Sequence, residues 1–243
     1  MKVLIDGDIV CYRAACSAEE DETWIALTRA DKTILDILEG TKADSYQVFL
    51  TGDGNFRREL APSYKAHRPE QRPKHWLSVR EFLVSQHKAI ICNGYEADDA
   101  MGIEQDKSGV GTVIASIDKD LKQIPGRHYN FVKKEYTHVS PYEGSRFIYV
   151  QSLVGDRSDN IIGVVGIGPK KAEQALEGLT TELEWYNKCR ELYDDDERFH
   201  TNMKLLYIWQ KYNDEWQPPT APQGAAATPQ SGDTSGAAIA ENN

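Results

Sequence analysis

Lys2-Val3-Leu4-Ile5-Asp6-Gly7-Asp8 is an apolar run too short for a helix, and it ends in carboxylates. A run of this kind reads as a strand buried on both faces. Two later stretches repeat the pattern. Residues 46–50 lead into Thr51-Gly52-Asp53, and residues 112–117 lead into Asp118-Lys119-Asp120. Strands that each deliver acid at their carboxyl end would bring those acids together in space, because ligand sites of open α/β sheets lie at that edge.

Helical patterns fill the intervals. Asp21 is placed to cap a helix carrying Trp24, Ile25, Leu27, Ile34, Leu35, Ile37 and Leu38, with Gly40 as its stop. A second pattern covers 75–85, and a third starts near Glu96. Alternation of strand and helix predicts a parallel sheet flanked by helices. Beyond residue 140 the pattern turns helical, over 141–154, 169–176, 181–193 and 199–209. The expected organisation is an α/β core over 1–140, a helical part over 141–216 and a tail over 217–243. That tail is almost entirely Pro, Ala, Gly, Thr, Ser and Gln, which cannot bury enough surface to offset chain entropy, so disorder is expected there.

Composition bounds the function. The 243 residues hold 28 Lys and Arg against 38 Asp and Glu, a formal charge of −10. Charges interrupt every apolar run before it reaches the roughly 18 residues of a membrane span. The first apolar run is stopped too early for a secretory signal. Cys11, Cys16, Cys92 and Cys189 form no paired motif, which argues against a disulfide framework or structural zinc. The expected compartment is the cytoplasm, that of the host cell if the chain is phage-encoded.

The acidic balance alone would argue against nucleic acid, but the charge is unevenly distributed. Residues 56–88 carry eight basic side chains (Arg57, Arg58, Lys65, Arg68, Arg72, Lys74, Arg80, Lys88) and three acids (Glu59, Glu70, Glu81). A local basic stretch is what a phosphate backbone attracts. The acids cluster elsewhere. Glu96-Ala97-Asp98-Asp99 adds carboxylates at a predicted helix start, and Asp156 and Asp159 repeat the i, i+3 spacing. Carboxylates brought this close cannot all stay ionised without cations. An all-oxygen donor set favours Mg²⁺ or Mn²⁺, and two such ions about 4 Å apart can activate water and stabilise a leaving oxygen in phosphodiester hydrolysis. Any single Asp after a strand or at a helix start can instead be a structural cap. The set as a whole points to metal.

Asp156-Arg157-Ser158-Asp159 leads into Gly163-Val164-Val165-Gly166-Ile167-Gly168-Pro169-Lys170-Lys171. Gly166 and Gly168 would let backbone amides approach a phosphate, Pro169 suits the first helical position, and the two lysines add charge. A nucleotide P-loop is excluded, because the Gly-Lys-Ser/Thr ending is absent.

With these blocks in hand, the chain resembles the 5′-nuclease family of flap endonucleases, bacteriophage 5′-to-3′ exonucleases and the nuclease domain of bacterial DNA polymerase I. Four blocks carry the resemblance: Ile5-Asp6-Gly7 with Tyr12-Arg13-Ala14; Asp53 with Phe56-Arg57-Arg58 and 64–68; 96–99 with 116–120; and 156–172. The resemblance implies a PIN-like fold, a helical arch or clamp over 56–88 and a helix-three-turn-helix element holding a monovalent cation, K⁺. It implies two divalent ions on Asp6, Asp53, Glu96, Asp98, Asp99, Asp118, Asp120, Asp156 and Asp159, with Lys65 and Arg68 meeting the scissile phosphate beside Asp118 and Asp120. DNA would be held by Arg13, Arg57, Arg58, Tyr64, Lys65, Arg68, Gly163, Gly166, Gly168, Lys170 and Lys171. Asp8 stands outside the set, as a cap of the next helix, because relatives often carry a small polar residue there. The implied activity is hydrolysis of DNA at or near 5′ ends, flaps or duplex/single-strand junctions in phage or bacterial replication, with the tail tethering a replication protein. A PIN-type ribonuclease and a non-catalytic, structure-specific DNA-binding protein are the alternatives.

Overall fold

The computed structural model describes residues 1–69 and 71–220. The chain runs β1 (Lys2–Asp6), α1 (Gly7–Ser17), α2 (Thr23–Thr41), β2 (Ser45–Thr51), α3 (Phe56–Leu60), α4 (Trp76–His87), β3 (Ile90–Cys92), α5 (Ala97–Ser108), β4 (Thr112–Ala115), β5 (Gly126–Asn130) and β6 (Glu135–Val139). It continues through α6 (Pro141–Val154), β7 (Gly155–Asp156), β8 (Ile161–Ile162), α7 (Pro169–Ala175), α8 (Glu182–Leu192) and α9 (Asp196–Leu206). Residues 221–243, most of the expected disordered tail, lie outside the described residues.

Six strands form one sheet in the order β3-β2-β1-β4-β5-β6, parallel except for the antiparallel β6. Strand β1 is central, with Lys2 opposite both Ser45 of β2 and Thr112 of β4. The carboxyl ends of β1, β2 and β4 therefore lie side by side.

The pleat sorts β1 between two cores. Val3 and Ile5 pack with Val10, Ile34, Ile37, Val79 and Leu83 beneath α1, α2 and α4. Leu4 faces the other way, with Phe49, Met101, Ile114 and Ile208 beneath α5. A third cluster gathers Tyr149, Leu153, Trp185, Phe199 and Met203 among the C-terminal helices, and Tyr64 joins it from the N-terminal half.

Three local expectations need correction. More than a third of the stretch expected to arch over the site is instead α4, whose Val79 and Leu83 are wholly buried against the sheet. Among the described residues of that stretch, Arg57, Tyr64, Lys65 and Arg68 line the cleft. Helix α2 runs through Gly40 and stops at Lys42, which adopts the left-handed conformation (φ 52°). A Cβ on Gly40 would stand 2.2 Å from the Tyr129 hydroxyl, so that glycine makes room and does not end the helix. Helix α9 begins at Asp196, capped by Asp195, and ends at Leu206 instead of continuing to Trp209. The carbonyls at its C-terminal end are claimed by other side chains: Leu205 O and Tyr207 O by Arg57, and Leu206 O by Gln123.

That first claim ties the two parts together. Arg57 is 2% exposed, and its guanidinium forks onto Asp99 (2.7 and 2.8 Å), which is wholly buried. Asp99 also accepts from the backbone N–H groups of Glu96 (2.9 Å) and Trp209 (3.0 Å). Both charges are fully hydrogen-bonded, the condition under which a buried pair is tolerated. Removing one partner strands the other. Asp99→Ala is expected to lower unfolding stability by about 3–5 kcal/mol, read as a lower urea midpoint at neutral pH; an unchanged midpoint would contradict this account of the joint.

Candidate active site

The carboxyl edge of the sheet carries the acids. Asp6 ends β1 and caps α1, accepting from Ile9 N (3.0 Å), while its second oxygen accepts from Ser116 Oγ (2.6 Å) beyond β4. Ser116 Oγ in turn accepts from Asp118 N (3.0 Å), and Asp118 accepts from Asp120 N (2.9 Å). The 116–120 turn is thus folded around its own polar groups and fastened to β1. Gln151 of α6 reaches in to Asp120 (2.8 Å). Glu96 precedes α5 and accepts from Asn55 Nδ2 (2.9 Å) and the Tyr64 hydroxyl (3.0 Å). Asp156 caps the 157–159 turn, accepting from Ser158 N (2.8 Å) and Oγ (2.6 Å). The Tyr64 oxygen also lies 3.0 Å from Asp159, so its one proton is shared between the two carboxylates, and Asp159 accepts from Arg68 (2.6 Å).

Three cations sit among these acids. Lys65 Nζ bonds Glu96 and lies 3.6 Å from Asp159. Its backbone is left-handed (φ 55°), a conformation that costs a non-glycine residue about 1 kcal/mol, and Lys65 N is held by Asp159 O (2.9 Å). Arg68 completes the clamp on Asp159. On the opposite side, Lys119 Nζ lies 3.0 Å from Asp156 Oδ2 and 3.9 Å from Asp120.

The acids divide by whether a cation serves them. Burial would raise Glu96, but Lys65 and Arg57 hold it at about 2. Burial also opposes ionisation of Asp156, yet Ser158 and Lys119 keep it below the ordinary carboxylate value. Asp6 is pushed up to about 7 by burial and by the neighbouring Asp8. Asp120 reaches about 7 through burial and the charges of Asp118 and Asp156. Asp98 is driven well above the usual range by burial, then by Asp6 and Asp118. Some carboxylates are neutralised by adjacent cations, and the others repel one another more than the cations offset.

That donor set fits a hard divalent ion. It is all carboxylate oxygen with no His or Cys, the chemistry that suits Mg²⁺ or Mn²⁺. Among the described residues, no three acidic, histidine or cysteine side chains close on a single point as they stand. Lys65, Arg68 and Lys119 are seated between them, so the acids would rotate to share an ion.

Of the nine expected metal ligands, Asp6, Glu96, Asp98, Asp118, Asp120, Asp156 and Asp159 share this cleft or its walls. Asp53 lies on the exposed loop after β2, its backbone N–H bonded to Asn93 Oδ1 (3.0 Å) and its carbonyl to Gly94 N (2.9 Å). Asp99 is corrected: its oxygens are committed to Arg57 and two backbone amides, with no face toward solvent. The same pairing removes Arg57 from the DNA-binding set. Tyr64 is also corrected, because its ring is 2% exposed and its hydroxyl orients Glu96 and Asp159.

Among the phosphate-gripping candidates, Gly163 is buried where the chain crosses itself. A Cβ there would stand 2.4 Å from Leu153 O and 2.5 Å from Gly155 N, so this glycine serves a close backbone approach. Gly166, Gly168 and Lys170 are exposed, and Lys171 Nζ closes the turn onto Gly166 O (2.9 Å). Arg13 and Arg58 are exposed at the surface.

Sequence reasoning missed Lys119, Ser116, Asn55 and Gln151. Lys119, flanked by two acids, was the one legible from spacing alone. Asp8 does not cap α1, since Asp6 does; its Oδ2 accepts instead from Thr51 N (3.0 Å). All four cysteines are free, with Cys16 exposed, and no helix among the described residues is long and apolar enough to cross a membrane.

Comparison with known proteins identifies the fold and the family. DNA polymerase I of Bacillus caldotenax is 30% identical over 212 residues, covering 74% of this chain but 23% of that much longer protein. A flap endonuclease Xni of Shewanella baltica (strain OS185) is 26% identical over 191 residues, covering 72% of this chain and 73% of the relative. The bacteriophage T5 D15 protein, co-crystallised with metal ions, superposes with a TM-score of 0.67 at 19% identity over 84% of this chain and 88% of its own. The T5 likeness shows the shared fold. A family model described as the 5′-3′ exonuclease N-terminal resolvase-like domain matches residues 1–148, which takes in the whole six-stranded sheet and most of α6; the chain belongs to the 5′-3′ exonuclease family.

Proposed function

We propose that the protein is a structure-dependent, divalent-metal-dependent 5′-to-3′ exonuclease and flap endonuclease that hydrolyses DNA phosphodiesters at or near 5′ ends, in phage or bacterial replication. One observation carries the reading: acids from β1, the 96–98 turn, the 116–120 turn and the 156–159 turn converge on a cleft whose rim bears Lys65, Arg68 and Lys119. Negative charge at the floor suits cations, and positive charge at the rim suits a phosphate backbone. Support comes from relatives named for that chemistry. One T5 flap endonuclease structure is a pseudo-enzyme–product complex with DNA and metal ions, and another T5 5′-exonuclease structure has zinc bound.

Asp6, Glu96 and Asp98 would hold one ion, joined by Asp53 if its loop turns inward. Asp118, Asp120, Asp156 and Asp159 would hold the other. Such ions supply Lewis acidity for phosphodiester hydrolysis. The chain's own contribution is placement. Ser116 and Ile9 N orient Asp6, Tyr64 and Asn55 orient Glu96, and Ser158 orients Asp156, so each donor approaches from a fixed direction. Lys65 and Arg68 exchange carboxylate for scissile phosphate when DNA enters, drawing the backbone toward the acids. The exposed Gly166, Gly168, Lys170 and Lys171 grip duplex phosphates without reading bases, and K⁺ at that helix-three-turn-helix turn belongs to the same reading. Arg13 and Arg58 add charge to the approach, and the tail would tether a replication protein in the cytoplasm.

End-labelled duplex, recessed and flapped DNA, with RNA as a control, tests the assignment directly. Cleavage of DNA in Mg²⁺ or Mn²⁺, lost with EDTA, is expected. Preference for RNA would favour a PIN-type ribonuclease, and tight binding without turnover would mark a binding protein. Asp118→Asn should lower kcat by about 10²-fold or more while DNA affinity holds; full activity in that variant would remove the mechanism. Lys65→Ala is expected to reduce kcat by a comparable factor, about 10², and an effect on DNA affinity alone would make it a mere anchor. Lys171→Ala should weaken duplex binding and reduce the slope of log affinity against log salt by about 1; an unchanged slope contradicts the grip.

A further inference from the structure

Asp8 and Arg80 meet where three acid-bearing segments converge. Asp8 Oδ2 accepts from Thr51 N (3.0 Å), and its Oδ1 is paired with Arg80 Nη1 (3.1 Å). Arg80 Nη2 donates to Thr51 O (2.8 Å). One ion pair thus claims both backbone polar groups of the last residue of β2. The hydroxyl of the same residue, Thr51 Oγ1, accepts from Ala97 N (3.0 Å), between Glu96 and Asp98. The guanidinium is pinned from outside by the Trp76 ring, 4.9 Å from its carbon, and Arg80 is only 13% exposed.

The connections are short. Asp8 lies two residues after Asp6 on α1, Thr51 two residues before Asp53, and Ala97 inside the turn that carries Glu96 and Asp98. Arg80 comes from α4, which is fixed in the core by Val79 and Leu83. A small polar residue at position 8 could accept from Thr51 N, but it could not also fix an arginine that holds Thr51 O.

We propose that the Asp8–Arg80 pair is a positioning device that sets the spacing between Asp6, Asp53 and the Glu96–Asp98 turn through its grip on Thr51. The proposal rests on the reading of those acids as metal ligands. Asp8 itself stands outside that set, its carboxylate turned to Thr51 N and Arg80. Arg80 offsets part of the Asp8 charge, and the remainder is felt at Asp6.

Calorimetric titration of the full-length chain with Mn²⁺ tests this, using wild type, Asp8→Asn, Arg80→Met and the double variant, with thermal unfolding as a check on each. Each single variant is expected to weaken Mn²⁺ binding by about 10-fold or more, the usual effect of losing a partner behind a metal ligand, and the double variant should bind no more tightly than either. On flapped DNA, kcat should fall while KM stays within about twofold. Arg80→Lys keeps the charge but cannot bridge Asp8 and Thr51 O, so it should bind Mn²⁺ as weakly as Arg80→Met; it also serves if the methionine variant fails to fold.

Two results overturn the proposal. Tighter Mn²⁺ binding in Arg80→Met with weaker binding in Asp8→Asn would reduce the pair to a through-space charge effect. Unchanged Mn²⁺ affinity in both would reduce it to a stabilising contact. If wild type binds Mn²⁺ yet cleaves no DNA, the nuclease reading fails while the calorimetric comparison still decides this one. If wild type binds no Mn²⁺, both fail.

Discussion

Carboxylates confined to a partly desolvated cleft repel one another, and most of the molecule's unusual features follow from how that repulsion is managed. Lys65 and Arg68 from one side and Lys119 from the other neutralise part of the cleft, and Glu96 and Asp156 are held below their ordinary range. Asp98 and Asp120 are helped only in part, by Lys65 and Lys119, and with Asp6 they are pushed upward. An acid that resists ionisation without a cation is one that gains from binding a cation, so the imbalance is a reservoir of affinity for hard ions. The fold must hold these side chains together against their mutual repulsion, and it does so with bonds that are individually ordinary. Ser116 fastens the turn after β4 to Asp6, Gln151 steadies Asp120 from α6, and Tyr64 joins Glu96 to Asp159.

Position in the sheet explains why those bonds can work. With β1 central and β2 and β4 on either side, three strand ends emerge side by side in one direction. The acids at the ends of β1 and β4 therefore need little adjustment to meet. The acids from 96–98 and 156–159 arrive from helix starts and turns, and they depend on tertiary contacts for placement. Tyr64 is central to this, because it packs in the helical core while its hydroxyl reaches acids from both parts of the chain.

Much of this was legible in the sequence, for definite physical reasons. Short aliphatic runs ending in acid identify buried parallel strands and the edge on which they discharge their carboxylates. Pro141 after the capping Ser140 marked the start of α6. The spacing could not show that Asp99 faces inward, because i, i+3 periodicity places it beside Glu96 without saying which residue meets the core. Arg57 and Tyr64 were misread for the same reason: a basic or aromatic residue in a charged stretch looks like a DNA contact until its partner is known, and those partners lie more than thirty positions away. The short β3 escaped because three residues are too few to show a periodic pattern. Gly163 resembled a phosphate-binding glycine, yet the crossing with Gly155 is what requires it.

The joint at Arg57 bears on how this chain can be divided. Its guanidinium is satisfied by an acid from α5 and by carbonyls just inside and just beyond the end of α9. Severing the polypeptide between β6 and α6, where the topology changes character, would leave the sheet-bearing portion with a sequestered positive charge missing half of its acceptors. The two portions are therefore not interchangeable modules. Recombination that joins this sheet to foreign helices would succeed only if the newcomer offered two free carbonyls at the same place.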